Sequence, residues 1–397
     1  MNRPGTLPPT QLHREAWLHS AASLLKYCRD RHWAGADPFD GLNSRFFQAL
    51  PLLKNHRWPR LVLIQGIKRC PINLRPLLAV PPGINPKGIA LFLACSIRLQ
   101  RAGLMTEADS RTLASQLLEL RSTGWKNSCW GYHFDWQTRT YLVPRYYPNI
   151  ICTTFAADAL LDAYDALGDP AWLQAATEAG RFLLEDLLRY PEGDTFCFSY
   201  TPLKPSRVHN ASLLGAALLA RLYPLTGIEE FRHAALAATR YGIAHQQPDG
   251  SWIYGEDPHQ EWIDSFHTGY NLIALRSVAR HLRDEAADRS LHHGFEYYRK
   301  AFFQPDGVVK YYHDRVHPID GHAIAHALLT LAEFRDLHPA NLEMADRVLA
   351  WANTHFRAAD GSYYYQRTPS YTNRISYMRW TQAWMLRGIS ELITSTE

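Results

Sequence analysis

The sequence is poor in the features that mark disulfide-bonded or metal-binding proteins. Among 397 residues there are only six cysteines, and none forms a CxxC pair or another metal-ligand spacing. No histidine and carboxylate pair follows a helical ligand motif such as HExxH, and no glycine-rich phosphate loop occurs. The sequence therefore predicts reduced thiols, as in a cytoplasmic protein, and neither a metal ion nor another cofactor.

Long apolar runs and a strong excess of one charge are also missing. No window reaches about 18 consecutive apolar residues, the length that a membrane-spanning helix needs, and the N-terminal segment lacks the apolar core of a signal peptide. The 42 lysines and arginines exceed the 38 acidic residues by only four, and no basic run forms a stripe that would track phosphates. We expect neither a membrane span nor a nucleic-acid partner, and the oligomeric state stays open.

Aromatic residues, by contrast, are abundant and gather in the segments that connect helices. The chain has 12 Trp, 21 Tyr and 16 Phe. Where such rings stand beside carboxylates and guanidinium groups, they suit a pyranose, because the C–H face of a sugar stacks on a ring while its hydroxyls take polar partners. The connections therefore indicate a saccharide-binding surface.

Pairs of helices repeat from about residue 85 onward. The first helix of each pair is apolar and rich in small residues on all sides, as in residues 211–217, which is typical of buried helices. The second helices, such as 228–247 and 285–303, carry charges on one face and should lie outside. The predicted starts of the first helices are 54 to 63 residues apart, near Pro86, Asn149, Asn210, Asp264, Asp320 and Ser376.

This alternation predicts an all-α (α/α)6 barrel, with six inner helices inside an outer ring that a helix over residues 11–31 completes. Residues 1–84 are predicted to form this helix and an arm that wraps the barrel of residues 85–397, within one compact domain. Asp-Gly turns in the links from outer to inner helices predict short β-hairpins at the rim where the inner helices begin. This rim is the predicted mouth of a pocket.

The mouth should gather side chains that are distant in sequence. Asp264 is placed to cap a helix, and His267 and Tyr270 follow it within two turns. The predicted catalytic residues are Asp135, Asp264, His267, Tyr270, Asp320, His322 and Arg379. The predicted substrate-binding residues are Trp130, His133, Trp136, Tyr146, Arg207, Asn210, Trp252, Tyr254, Glu256, Tyr312, Tyr377 and Trp380.

Asp135 and the helix-start residues each have a specific interpretation. Asp135 stands between two large aromatic residues, and poor solvation there would raise its pKa, as a general acid requires. Asp264, Asp320 and Asn210 stand where helices are predicted to begin, so capping alone accounts for each of them equally well.

The chain resembles the six-hairpin glycosidase-like superfamily over about residues 85–397. This superfamily includes N-acylglucosamine 2-epimerases, unsaturated glucuronyl hydrolases and glucuronyl C5-epimerases. The segments Trp130–Gln137, Trp262–Tyr270, Tyr371–Arg374 and Tyr377–Trp380 resemble those of a bacterial group associated with polysaccharide assembly. The resemblance implies an (α/α) barrel and a saccharide substrate. It assigns no catalytic residue, because no catalytic motif of a characterised member aligns with this sequence.

A second resemblance is to squalene and related terpene cyclases. Gln246–Trp252 is similar to their Gln-to-Trp repeat, but their Asp-rich initiator motif is missing. The polar mouth also suits their apolar cavity poorly.

The sequence therefore predicts a carbohydrate-active enzyme for an oligosaccharide or polysaccharide, with acidic sugars favoured. Hydrolysis would need two carboxylates, Asp135 with Asp264 or Asp320. Elimination or uronate epimerisation would instead need a base, which His267, Tyr270 or Tyr312 would supply, and a cation for the substrate carboxylate, Arg379 or Arg207. The alternatives are a non-catalytic protein for glycan binding or assembly and, in third place, a cyclase.

Overall fold

The chain begins with a long helix and continues into an arm that is partly helical. The computed structural model describes residues 9–396, and their side chains from His13 onward. Helix α1 covers Pro9–Arg29. The arm contains a 3-10 turn and three helices: Asp40–Asn43, α2 (Arg45–Gln48), α3 (Pro51–Lys54) and α4 (Arg57–Arg69).

Helix α4 is not among the helices that the repeat predicts. Its third residue is Pro59, and proline is tolerated in the first turn of a helix because the N–H there has no intrahelical partner. Ile64 is buried against Leu42 and Phe47 of the arm. Packing within the arm therefore stabilises a helix that the proline-rich sequence obscures.

Five pairs of helices follow the arm, as the repeat predicts. The inner helices are α5 (Pro86–Arg101), α7 (Ile150–Leu167), α9 (His209–Thr226), α11 (Ser265–Leu282) and α13 (Gly321–Glu333). The outer helices are α6 (Glu107–Glu119), α8 (Pro170–Glu185), α10 (Glu229–Ala244), α12 (Glu285–Phe302) and α14 (Asn341–His355).

A sixth pair closes both rings. The last inner helix, α15 (Trp384–Thr394), follows a π-helical turn over Met378–Ala383 and packs between α13 and α5. Helix α1 packs on α15 as its outer partner and also contacts α14, where the Trp17 indole N–H donates to Asp346 at 2.8 Å. The predicted (α/α)6 barrel is confirmed.

Side-chain caps begin four of the six inner helices. Asn85, Asn149, Asp264 and Asp320 each accept a backbone N–H in the first turn. The capping interpretation of Asn210 is wrong, because α9 begins at His209 after Val208 and Asn210 lies inside the helix. The predicted start at Ser376 is early by two residues, since the π-helical turn begins at Met378.

Seven short strands lie in the links. Strands β1 (Trp136–Gln137) and β2 (Leu142–Val143) pair antiparallel, as do β3 (Arg189–Glu192) and β4 (Thr195–Phe198). Strand β6 (Gln366–Arg367) pairs with both β5 (Ile319–Asp320) and β7 (Thr372–Asn373). The strand pairs are short and antiparallel, as predicted.

Three of the four Asp-Gly type turns join no strand of two or more residues, and those at Gly307 and Gly361 are closed by single antiparallel bridges, Phe303–Val309 and Arg357–Tyr363. Gly250, Gly307 and Gly361 have φ near +90° and abut the backbone carbonyls of His293, Arg347 and Ser23 on outer helices. These turns therefore fit against the outer ring, and only the turn at Gly193 joins two strands.

Replacing Gly307 by Ala should destabilise the protein by about 2–3 kcal/mol, because an added Cβ would lie 2.6 Å from the Arg347 carbonyl oxygen at a φ of +93°. Gly124→Ala is the matched control, since its φ is +84° and no atom lies within 4 Å of the added carbon. Urea unfolding of both variants separates the clash from the backbone strain. Equal losses would contradict the role assigned to the close packing.

Candidate active site

A cavity of about 490 Å³ opens where the inner helices begin. This volume is typical of small-molecule sites. Its lining contains three lysine or arginine side chains from distant parts of the chain, Lys68, Arg139 and Arg379. It also contains the imidazoles of His259 and His267. Among the described residues that line it there is no Asp or Glu. The surface offered to a ligand is therefore cationic and aromatic.

Behind this lining, the carboxylate of Asp264 orients His267. Asp264 Oδ1 accepts the backbone N–H of His267, and Oδ2 lies 2.6 Å from His267 Nδ1. Oδ2 also accepts the Trp262 indole N–H at 2.9 Å. Asp264 is fully buried whereas the His267 side chain is 21% exposed. The contact fixes the proton on Nδ1 and leaves the lone pair of Nε2 available as a base.

A second buried carboxylate, that of Asp37 in the arm, binds Arg379, which lies 342 positions later in the sequence. The guanidinium donates from Nε and Nη2 to the two carboxylate oxygens at 2.6 and 2.8 Å. The pair leaves Nη1 for other partners. Burial by itself lowers the pKa of Arg379, but the charge and hydrogen bonds of Asp37 outweigh it and keep that pKa above its usual value. Arg379 thus reaches the cavity as a fixed, permanently charged donor.

A third buried carboxylate, Asp320, holds Trp380. Its Oδ1 accepts the Trp380 indole N–H at 3.1 Å and the backbone N–H of His322 at 2.8 Å, while Gln366 donates to Oδ2. Burial raises the pKa of Asp320 to about 6, although these hydrogen bonds and the charge of Lys68 oppose the shift. Asp320 therefore both caps α13 and positions a wall of the cavity.

The walls are built from stacked rings. Tyr254 and Trp262 stack at 4.5 Å, and Tyr132 and Phe134 are nearly parallel at 5.2 Å. The Tyr132 and Tyr200 hydroxyls lie 3.1 Å apart. Burial raises the pKa of Tyr200, Tyr254 and Tyr311 well above the usual range, so their hydroxyls stay protonated and can donate hydrogen bonds.

Six of the predicted site residues line the cavity: Trp136, Tyr254, His267, Tyr312, Arg379 and Trp380. Asp264 and Asp320 stand directly behind it. Tyr270 and His322 are buried deeper, where the Tyr270 hydroxyl lies 2.7 Å from His322 Nε2 and the buried Nζ of Lys87 lies 3.5 Å from the same hydroxyl. Burial lowers the pKa of His322 well below its usual value.

Asp135 lies outside the lining. It is half-buried and accepts the Arg145 backbone N–H at 2.8 Å, and Gln48 donates to its other oxygen. The adjacent rings of Phe134 and Trp136 line the cavity while the carboxylate between them does not. Alternation along an extended backbone accounts for this, because successive side chains point to opposite faces.

The other predicted binding residues also lie away from the lining. Trp130 and Trp252 are core residues whose indole N–H groups donate to backbone carbonyls of the preceding outer helix. Tyr377 is buried and accepts from Arg75, and Tyr146 is 43% exposed. Three further predicted residues make contacts outside the lining: His133 with Asn85, Arg207 with Asp257, and Glu256 with His209. Asn210 is buried in α9.

The arm supplies side chains that the sequence analysis assigns to no chemistry. Phe39, Gln65 and Lys68 line the cavity, and the Lys68 ammonium lies 4.4 Å from the Phe39 ring centre. Asp37, two residues before Phe39, anchors Arg379. The sequence feature that could have indicated a role of the arm in the cavity is the group of acidic and aromatic residues at 37–40, in a polar loop that contains a proline.

Three larger and more open depressions exist on the surface: one between the arm and residues 374–378, one between α8 and α10, and one between residues 32–33 and α6. None of them is lined by Arg379 or by the oriented imidazole of His267. Within residues 9–396 no group of three or more His, Cys, Asp or Glu side chains is arranged to hold a metal ion, and all six cysteines there are free thiols.

No protein-family model and no curated protein matches the chain, but solved structures share its fold. Cellobiose 2-epimerase from Bacillus thermoamylovorans aligns with a TM-score of 0.61 and 12% identity over 80% of this chain and 90% of that one. An unsaturated glucuronyl hydrolase specific for heparin gives 0.60 and 10% over 96% of both chains. An α-mannanase from Bacteroides thetaiotaomicron gives 0.57 and 14% over 77% and 86%.

These neighbours belong to the six-hairpin glycosidase superfamily, and the chain has their (α/α)6 barrel fold. In the described residues no helix is both long enough and apolar enough to span a membrane.

The buried His133 should make the protein less stable in acid. Burial lowers its pKa to about 4, whereas an unfolded histidine titrates near 6.5. The unfolded state therefore binds the proton first as pH falls from 6.5 towards 4, and this residue alone should remove up to about 3 kcal/mol of stability.

His133→Gln removes this proton linkage. The stability of the variant relative to wild type should rise steadily as pH falls from about 6.5 to 4, measured by urea unfolding at several pH values. His233→Gln, on the exposed surface of α10, is the control. A difference between His133→Gln and wild type that is independent of pH would contradict the prediction.

Proposed function

We propose that the protein acts on a saccharide that carries a carboxylate, and that it removes the proton from the carbon next to that carboxylate. The observation that carries this proposal is the Asp264–His267 pair at the wall of a cavity with cations but no carboxylate in its described lining. An oriented imidazole is the usual base for such a step, and a cation stabilises the charge that develops on the substrate carboxylate.

Each part of the reaction has a residue in the cavity. His267 Nε2 takes the proton, and the negative charge that forms on the substrate carboxylate meets Arg379 and Lys68. Return of a proton to the opposite face of the same carbon, from a tyrosine hydroxyl that does not adjoin His267, such as that of Tyr132, gives the epimer. Loss of the oxygen substituent on the next carbon instead, with its protonation, gives an unsaturated sugar.

Hydrolysis is less well supported by this geometry. It requires two carboxylates flanking the glycosidic bond, about 5–10 Å apart. Asp264 and Asp320 are buried behind the lining, where they bond to His267 and Trp380, and Asp135 lies outside it. A sugar epimerase and a glucuronyl hydrolase both share this fold, so the choice between the reactions rests on the contacts in the cavity.

The reaction should be visible by mass spectrometry in heavy water with panels of uronate-containing and neutral oligosaccharides. We expect deuterium at the abstracted carbon or an unsaturated product with the uronates and no change with the neutral sugars. Cleavage with addition of water would contradict the proposal, as would binding of uronates without either product.

Asp264→Asn should lower kcat by about 10²- to 10⁴-fold, because an amide caps α11 as well as a carboxylate but cannot hold the proton of His267 on Nδ1 or stabilise an imidazolium. Asp284→Asn is the matched control, since Asp284 caps the outer helix α12 by the same contact. Asp284→Asn should melt close to wild type, whereas Asp264→Asn should melt somewhat lower but remain folded, because its amide N–H group faces the Trp262 indole N–H. An active Asp264→Asn enzyme would leave this residue as a cap alone.

Lys68→Met should lower kcat/KM about 10- to 100-fold for an acidic substrate, because a charged hydrogen bond to its carboxylate is lost. The methyl ester of the same substrate has no negative charge and should show a much smaller change. Parallel kinetics with the acid and its ester measure the difference, and an equal loss for both would mean that Lys68 does not recognise the carboxylate.

A further inference from the structure

The most exposed large hydrophobic side chains of the protein are concentrated in the arm. Six of them are each at least 61% exposed: Phe46, Leu52, Trp58, Val62, Ile72 and Leu77. Elsewhere in the described chain no large hydrophobic side chain exceeds 43%. Scattered exposed apolar residues are normal, but a concentration of this kind marks an interaction surface. These six side chains are called the arm surface.

Helix α4 connects the arm surface to the cavity. Trp58 and Val62 are four residues apart and share its exposed face, while Ile64 and Ile67 are buried on the other. Gln65 and Lys68, which line the cavity, lie on the side of the helix next to Trp58 and Val62. The part of the arm surface formed by Trp58 and Val62 therefore adjoins the mouth of the cavity.

The charge of the arm identifies the class of partner. No Asp or Glu occurs between Asp40 and Glu107. Arg45, Arg57 and Arg69 are exposed and Lys54 is half-exposed, and none of the four forms an ion pair with a described carboxylate. The arm surface is thus a set of apolar side chains among uncompensated cations.

A second copy of the chain fits this surface poorly. In a two-fold interface the same surface meets itself, so the four cations would face their own copies without a carboxylate between them. A bilayer with anionic lipids satisfies both features, because tryptophan and leucine enter the headgroup boundary while arginine and lysine meet lipid phosphates.

We propose that the arm surface docks the protein on the face of a membrane that contains anionic lipids. The contact is peripheral, since no described helix is able to span a bilayer. If the proposed function holds, on which this extension rests, the cavity then takes its acidic saccharide beside the membrane, as part of a glycan attached to a lipid.

Vesicle flotation of the full chain tests the docking without any turnover. We expect binding to phosphatidylcholine vesicles that contain phosphatidylglycerol, weaker binding at high salt, and little binding to phosphatidylcholine alone. Trp58→Ser with Val62→Ser should reduce the partition coefficient about tenfold, and Arg57→Ala with Arg69→Ala by a similar factor or more.

The controls are Leu188→Ser with Leu225→Ser, which are exposed apolar residues remote from the arm, and Arg240→Ala on α10. These should bind vesicles as the wild type does. Equal losses in the controls, or no binding to anionic vesicles, would overturn the proposal. A concentration-dependent dimer in sedimentation velocity that disappears in Trp58→Ser with Val62→Ser would assign the surface to a second copy.

The docking and the proposed function fail separately. Heavy-water exchange with soluble uronates reports chemistry without vesicles, whereas flotation reports docking without substrate.

Discussion

Three buried carboxylates determine what the cavity presents. Asp37, Asp264 and Asp320 are each solvent-inaccessible, and each bonds to a side chain of the lining: Arg379, His267 and Trp380. A buried charge is costly unless it is paired and hydrogen-bonded, so these contacts are firmly held. The carboxylates that orient these three side chains therefore lie behind the cavity lining, and the lining itself presents cations.

This arrangement gives a capping residue a second contact, to a side chain that lines the cavity. Asp264 accepts the backbone N–H of His267 with one oxygen and the imidazole N–H of the same residue with the other. Capping and catalysis, which appear as alternatives in the sequence, are compatible because a carboxylate has two acceptor oxygens. Asp320 combines its cap with a contact to Trp380 in the same way.

Periodicity predicted the barrel because each inner helix repeats a local pattern. It also placed Asp264, His267 and Trp380 at the mouth of the barrel, because the starts of helices can be recognised in a sequence. It did not identify Lys68 or Asp37, whose partners lie about 250 to 340 residues away and leave no local mark. Asp135 was predicted in the site from its aromatic neighbours, which are local in the sequence. The side to which each residue of this extended segment points depends on tertiary packing, which the local sequence does not reveal.

The site joins the two ends of the chain. Asp37 bonds to Arg379, and α1 supplies the outer partner of α15, the last helix. The segment between these two regions cannot complete the lining by itself, because Arg379 has no buried carboxylate partner and α15 has no outer helix until residues 342 positions apart have met. Closure of the helix ring and placement of the guanidinium are therefore a single event in folding.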